Sequence, residues 1–358
     1  PLSLFSGKNP LDDSKNVILL LVDGLGYNYF KNILGDTRLA EFLAGKMTSV
    51  FPSTTAAAMT SYYTGWEPRR HGILAWFTYL KELGTISIFP PMLRRGFKDP
   101  LITGEMDLNV EKILNIESIF NRIDAHGYLI IPSDFISNPY NSLVSGKASM
   151  VGYKKTDELF TRVNNIITNN PGRKLILAYW PKIDEFGHKK GVWSKSTEKV
   201  AKRFADRLVK FIEDITKTGA TKILVTADHG IVDIPEDNII MLNDHPGLQD
   251  CLTLPLCGEP RAVFCYVRPS KVRIFENYID DKFDDKCILV PGAECIDSGY
   301  FGNGKTHPRL FDRVGDYLLL MKEDFVLKDA MLGEKRHKLI GHHGGISSDE
   351  MYIPLLIS

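Results

Sequence analysis

The chain has 358 residues, 44% of them apolar and 25% charged, with 44 basic residues matched by 44 acidic ones. That composition can build a large core, and its balanced charge gives no field to draw in a nucleic-acid polymer or an anionic membrane. No apolar run reaches the roughly 18 residues of a membrane helix, and PLSLFSGKNPLDDSK lacks the basic-then-apolar order of a signal peptide.

The first predicted element is a buried strand over 16–23, NVILLLVD, with Gly24 directly after Asp23. FPSTTAAAMTSYYTG comes next, where Pro52 and Ser53 lead into a helix with Thr54 and Thr55 at its start. A hydroxyl there meets unpaired N–H groups and the positive end of the helix dipole, which suits a phosphate. Simple N-capping is the commoner use of such a residue. Residues 78–115, with IFPPMLRRGFKDP, read as an irregular insertion.

ESIFNRIDAHG (117–127) predicts a helix with Ile119, Phe120 and Ile123 on one face. A strand over 127–132 and a helix over 156–172 with a Thr cap come next. The third buried strand, 174–180, runs into Asp184 and His188, spaced i, i+4 so that one helical turn carries both on one face. The pattern STEKVAKRFADRLVKFIEDITKTGA (196–220) predicts an amphipathic helix, with Ser196 ahead of Glu198-Lys199. The strand 222–227 ends in TADHG with Asp228 and His229. Residues 235–335 read as shorter strands (RAVFCYV, KCILV, DYLLLM) and loops, and His342 and His343 lie in a late LIGHHGG.

All five cysteines fall between Cys251 and Cys295, with no CxxC pair, and no N-x-S/T sequon occurs. Reduced, buried thiols in a cytoplasmic protein are expected rather than a zinc knuckle.

Alternating strands and helices imply a mostly parallel sheet sandwiched by helices, an α/β fold. In such sheets ligands bind beyond the carboxyl ends of the strands, where Asp23, Asp184 and Asp228 all fall. Several carboxylates at one sheet edge repel one another unless cations neutralise them. Three Asp, three His and a hydroxyl suit two adjacent divalent ions, and a metal-activated hydroxyl is a nucleophile for phosphorus.

In these motifs the sequence resembles the alkaline phosphatase superfamily, and within it the type I phosphodiesterase/nucleotide pyrophosphatase family. VDGLG, TTAAAMTSYYTG with HGI after it, DEFGH, TADHG, and HHGG with EMYIPL keep the family order from about Asn16 to Pro354. The resemblance implies an alkaline-phosphatase-like catalytic core over 1–235 and 336–358, carrying the insertion 78–115. A smaller α+β cap region would occupy 236–335. Counting back ten residues from Gly65 of the TG landmark, it places the nucleophile at Thr55 rather than Thr54. Asp23, Thr55, Asp228 and His229 would surround one metal, and Asp184, His188 and His343 the other. His343 is preferred over His342 because the family has His directly before Gly. The mixed Asp/His set favours zinc, with manganese as the alternative.

The implied chemistry is hydrolysis of a phosphodiester or nucleotide pyrophosphate bond through a phosphoryl-threonine, on a small-molecule phosphate ester or nucleotide. One departure stands out: the family carries an Asn shortly after HGI that binds a phosphate oxygen, and this chain reads HGILAW, with Ala75 and Trp76 there. Trp76, Phe77 and Tyr79 are candidates to stack on an aromatic leaving group or to pack the core. Arg69, Arg70, Lys305 and Arg309 are candidates for a substrate phosphate or for plain surface charge. A phosphomonoesterase is the nearest rival reading, and a non-catalytic binding protein on the same fold is the alternative from another class. A sulfatase is disfavoured because its nucleophile position takes Cys or Ser. Oligomeric state is not legible.

Overall fold

Seven consecutive residues, Asn16–Val22 (β1), form the centre of a seven-stranded sheet in the computed structural model, which describes residues 14–97, 110–217, 219–331, 334 and 338–358. The N-terminal stretch read for a signal peptide, and the middle of the 78–115 insertion, lie outside the described residues. The chain divides into two compact units. The first comprises the chain up to Ser49, Glu117–Ile231 and Tyr352–Ser358, and the second comprises Val50–Ile116 and Val232–Met351. Residues 50–116 thus group with 232–351, a division drawn differently from the expected domain boundaries.

In the first unit the further strands are Leu43–Thr48 (β2), His126–Pro132 (β3), Ser149–Tyr153 (β4), Lys174–Trp180 (β5), Thr221–Thr226 (β6) and Tyr352–Ile357 (β7). Their order is β2-β7-β6-β1-β5-β3-β4, parallel throughout except where β7 meets β6 and β2. The register decides where the central strands stop. Asn16 pairs with both Lys174 and Thr221, so β1, β5 and β6 start level and end at one edge.

Helices Thr156–Asn169 (α1), Lys182–Lys190 (α2) and Lys195–Thr216 (α3) flank this sheet. On α3 the residues Ala201, Phe204, Ala205, Leu208, Val209, Ile212 and Ile215 are buried, the stripe of a helix with one apolar face. Phe204 stacks on Trp180 of β5 with ring centroids 3.8 Å apart, and Phe160 of α1 lies against Phe204 and Phe211. These aromatics tie helices to sheet by burying large areas in one contact.

Three expectations are corrected. The helix predicted over 117–127 is only a 3₁₀ turn, Ile119–Asn121, and β3 already begins at His126. The Ser118 hydroxyl accepts from Phe120 N–H and donates to the Val144 carbonyl, fixing a turn where too few residues remain to propagate a helix. The cap of α3 is Ser194, which accepts from Thr197 N–H, rather than Ser196. Thr156 does not cap α1: it is the first helical residue, Lys155 holds the N-cap position, and the Thr156 hydroxyl accepts from the Trp180 indole N–H.

The second unit is built on an antiparallel sheet of seven strands: Cys287–Pro291, Tyr317–Met321, Ala262–Cys265, Cys257–Glu259, Phe77–Leu80, Thr85–Ile88 and Leu93–Arg94, in that spatial order. The region read as irregular therefore supplies the last three strands, because Gly84 at φ +61° closes a hairpin between the first two of them. Both faces of the sheet are covered. Leu318 and Leu320 enter one apolar cluster while Leu319 and Met321 enter another, which is why YLLLM shows no alternation. All five cysteines are free and buried in these clusters, and burial pushes the thiols of Cys257, Cys287 and Cys295 up to about 12. Among the described residues no helix is long and apolar enough to cross a membrane.

A bidentate ion pair, Arg261 Nε and Nη2 to the two Glu350 oxygens at 3.2 and 2.9 Å, is buried in this unit. Removing one partner strands the other charge away from water. Glu350→Gln should therefore destabilise the protein by about 3 kcal/mol in urea titrations. Unchanged stability would show that water reaches the pair.

Candidate active site

In the first unit, the level ends of β1, β5 and β6 determine which side chains can meet. Asp23 follows β1 directly, α2 with Asp184 and His188 follows β5, and Asp228-His229 follow β6 after one intervening residue. The backbone locks two of these turns together, with Asp23 N–H donating to the Trp180 carbonyl and Asp184 N–H to the Asp23 carbonyl. Gly24 has φ +74°, and a Cβ there would come within 2.7 Å of the Ile231 side chain and 3.0 Å of the Asp184 backbone. The glycine of VDGLG is thus required both by conformation and by close approach.

Asp23, Asp228 and His229 are fully buried and each offers a ligand atom within 4.8 Å of the others. Asp228 Oδ1 accepts from the N–H groups of Gly24 (3.2 Å) and His229 (2.9 Å), and its second oxygen has no hydrogen-bond partner among the described residues. Asp23 Oδ2 accepts from the Tyr179 phenol, and Oδ1 is likewise without a hydrogen-bond partner there. His229 Nδ1 lies 3.0 Å from the Gly230 carbonyl, which can only accept, so this nitrogen carries the proton. Nε2 lies 3.5 Å from Asp23 Oδ1 and 3.4 Å from Asp228 Oδ2.

Two carboxylate oxygens without a hydrogen-bond partner among the described residues thus converge with an imidazole in a buried place. Burial, then the charges of Asp228 and Asp184, hold the Asp23 carboxyl well above the usual carboxylate range. Burial and the Asp23 charge raise the Tyr179 phenol as well. A divalent cation among these atoms would neutralise the carboxylates, and two carboxylates with an imidazole suit zinc or manganese. An Asp184 oxygen and a His229 ring nitrogen also lie within 4.8 Å of each other. His188 Nε2 is 3.2 Å from Asp184 Oδ1, so the i, i+4 pair shares one face of α2 as its spacing predicts.

Thr54, Thr55, His342 and His343 belong to the second unit. The helix Thr55–Thr64 begins at Thr55, and Thr54 is its N-cap residue by position. The Thr54 hydroxyl does not cap; it donates to Glu259 Oε1 at 2.6 Å. The neighbouring Ser53 hydroxyl donates to the Gly345 carbonyl at 2.7 Å, and the Ser53 carbonyl lies 3.2 Å from His343 Nδ1. Because a carbonyl can only accept, that contact puts a proton on His343 Nδ1. His342 is buried and paired in a short antiparallel bridge with Val232.

Other candidates find structural roles. Phe77 and Tyr79 pack on the core of the second unit, whereas Trp76 is 40% exposed. Arg69 is engaged by Thr306 Oγ1 and the carbonyls of Ile296 and Gly302, and Arg70 lies over the Trp66 ring. Arg309 sits 3.4 Å from Asp312.

Two residues that the sequence reading missed are Tyr179 and Glu259. Tyr179 was within reach: it pairs with Leu21 across β5 and β1, and Asp23 lies two residues on, hence on the same face. Glu259 ends a three-residue strand, just before the turn in CGEPRA, too short to carry a periodicity that would flag it.

If the buried acceptors repel without a cation, removing one charge should help the metal-free protein. Chelator-stripped Asp23→Asn should melt above stripped wild type by about 2–4 °C per kcal/mol relieved in a unit of this size, and should lose most of the zinc-induced shift. A variant that melts lower when stripped would contradict this account.

A sequence profile of the Type I phosphodiesterase / nucleotide pyrophosphatase family matches residues 17–346. Ectonucleotide pyrophosphatase/phosphodiesterase 1 of Saccharomyces cerevisiae is 34% identical over 201 residues, which is 49% of this chain and 27% of the yeast protein. The chain thus spans about a quarter of that relative's length. Among solved structures, murine ectonucleotide pyrophosphatase/phosphodiesterase 5 superposes with TM-score 0.71 at 16% identity, covering 95% of this chain and 87% of the other. An inactive variant of the murine protein in complex with AMP gives 0.72 at the same identity and coverage. The human counterpart gives 0.71, again at 16% identity over 95% and 87% of the two chains. At that identity the likeness shows a shared fold. The profile match runs through nearly the whole chain, and on it the chain belongs to the type I phosphodiesterase/nucleotide pyrophosphatase family.

Proposed function

We propose that the protein hydrolyses phosphodiester or nucleotide pyrophosphate bonds, with Thr55 as the nucleophile and two divalent ions, zinc by preference, as cofactors. The observation that carries this reading is the buried convergence of Asp23 Oδ1, Asp228 Oδ2 and His229 Nε2. Two buried carboxylates brought together beside an imidazole call for a cation. In the family assignment Asp23, Asp228, His229 and Thr55 serve one ion, and Asp184, His188 and His343 the other. When bound, such ions lower the pKa of a coordinated hydroxyl or water and neutralise charge on phosphoryl oxygens.

The chemistry runs in two steps. The Thr55 oxygen attacks phosphorus in line, a P–O bond to the leaving group breaks, and the departing oxygen gains a proton. Water then attacks the phosphoryl-threonine, releasing the phosphate product and restoring the hydroxyl. The placement of Thr55 at the first turn of a ten-residue helix directs the dipole's positive end toward the charge that develops. The AMP bound by the inactive murine relative fits a nucleotide substrate. The lack of the family Asn after HGI, where Ala75 and Trp76 lie, is a reason to expect a substrate range of its own.

A phosphomonoesterase remains the second reading, favoured by the absence of that Asn. The deciding measurement compares a nucleotide p-nitrophenyl ester and bis-p-nitrophenyl phosphate with p-nitrophenyl phosphate on zinc-loaded protein. Diester turnover at least tenfold faster supports the proposal, and the reverse order supports the rival. Thr55→Ala should lower kcat by roughly 10³-fold or more, while Thr54→Ala stays within several-fold of wild type. The opposite pattern would move the nucleophile by one residue. Metal analysis should find close to two ions per chain, and a protein that takes up none would overturn the enzyme reading.

A further inference from the structure

The second unit contains a buried carboxylate that the proposed reaction does not use. Glu259 is 6% exposed and ends the strand Cys257–Glu259. Its Oε1 accepts two hydrogen bonds, from the Thr54 hydroxyl at 2.6 Å and from the Trp76 backbone N–H at 2.7 Å. Gly344, the residue after His343, lies flat against its stem, since a Cβ at that position would come 2.5 Å from Glu259 Cβ. The φ of +112° at Gly344 excludes other residues there in any case. One side chain therefore registers the segment before the nucleophile, the segment at the departed Asn, and the histidine loop.

The Thr54 bond is unusual for its position. A threonine at a helix N-cap ordinarily accepts from the N–H of the second or third helical residue. Here the hydroxyl donates elsewhere, and the helix has no side-chain cap. Among the described residues no acceptor meets the N–H groups of Ala56 and Ala57. Two donors at the positive end of a helix dipole stay open beside Thr55. Had Thr54 capped in the common way, its oxygen would occupy one of them.

We propose that Glu259 is a positioning residue that holds the Thr54 hydroxyl off the first turn of the nucleophile helix and so keeps the Ala56 and Ala57 N–H groups open for phosphoryl oxygens. Glu259 touches neither substrate nor reacting atoms; it acts through Thr54 and through the Trp76 backbone. This assignment rests on the phosphoryl-transfer reading of the site. It also bears on the missing Asn: two backbone donors, which any sequence can supply, take up oxygens that the family's amide would bind.

The test uses zinc-loaded full-length protein and orthovanadate as the probe, by calorimetric titration alongside kcat and KM for the diester. Glu259→Met keeps the volume and removes the acceptor. It should weaken vanadate binding roughly five- to tenfold, the strength of an N-cap newly competing for the same N–H. Glu259→Gln retains Oε1 and should stay within about threefold of wild type, where loss of charge alone would not. The distinctive result is the double variant: adding Thr54→Ala to Glu259→Met removes the competing hydroxyl and should recover at least half of the lost affinity on a logarithmic scale. A double variant as weak as Glu259→Met, or weaker, overturns the proposal.

If Glu259→Met fails to fold, Thr54→Asn, a strong capping residue, should bind vanadate more weakly than Thr54→Ala. Equal affinities there overturn the proposal too. Wild-type protein that neither binds vanadate nor cleaves diesters would refute the phosphoryl-transfer reading itself. Wild type that does both, with Glu259→Met indistinguishable from it, refutes only the role of Glu259.

Discussion

Two carboxylates and an imidazole brought together away from water are the constraint around which the first unit is organised. Asp23, Asp228 and His229 each have one polar atom satisfied by the protein: the Tyr179 phenol for the first, backbone N–H groups for the second, the Gly230 carbonyl for the third. Those bonds do more than hold the side chains still. They fix which atom of each group remains to face the others, so a collection of ordinary polar residues becomes a directed cage. The cost is a buried repulsion that the apolar core around β1 has to offset until a cation arrives.

The second unit solves a related problem differently. It contains two buried carboxylates, Glu259 and Glu350, and each organises a glycine of the HHGG loop. Gly344 lies against the stem of Glu259, and the Gly345 N–H donates to Glu350 Oε1 at 2.7 Å. Glu350 is neutralised by Arg261, while Glu259 is met by a hydroxyl and a backbone amide. The two glycines thus matter less as flexible joints than as places where a carboxylate can come close to the main chain. His343 is carried by a loop whose shape is dictated from both sides.

Much of this was legible in the sequence wherever a period or a chain end gave the signal. Four of the seven strands of the first sheet, β1, β3, β5 and β6, were visible as short apolar runs, and chemistry was sought just past three of them, while β2, β4 and β7 gave no such signal. Gly24 marked the sharp turn that brings the Asp23 segment against Asp184. The amphipathic period of α3 was plain, yet its cap was misplaced by two residues because Ser194 and Ser196 both look like caps and only tertiary packing chooses between them. The strands at 77–94 were obscured by prolines that lie beside the pairing residues rather than within them. Glu259 was invisible for a deeper reason: a buried carboxylate at the end of a short strand is recognised by what comes to meet it, and its partners at 54, 76 and 344 lie in three remote stretches of chain.

The level start of β1, β5 and β6 has a consequence for the order of events during folding. Gly24 and Asp228 are 204 positions apart and are joined through a hydrogen bond that exists only once the central strands have paired. In the unfolded chain the acidic and imidazole groups are scattered, and gathering them would require closing very long loops with nothing yet gained in return. An ion bound there, as proposed, would therefore be a latecomer. It would meet a cage already drawn by backbone pairing and act as a latch on the finished sheet rather than as a seed for it, unlike the small metal-dependent domains in which the ion itself drives folding.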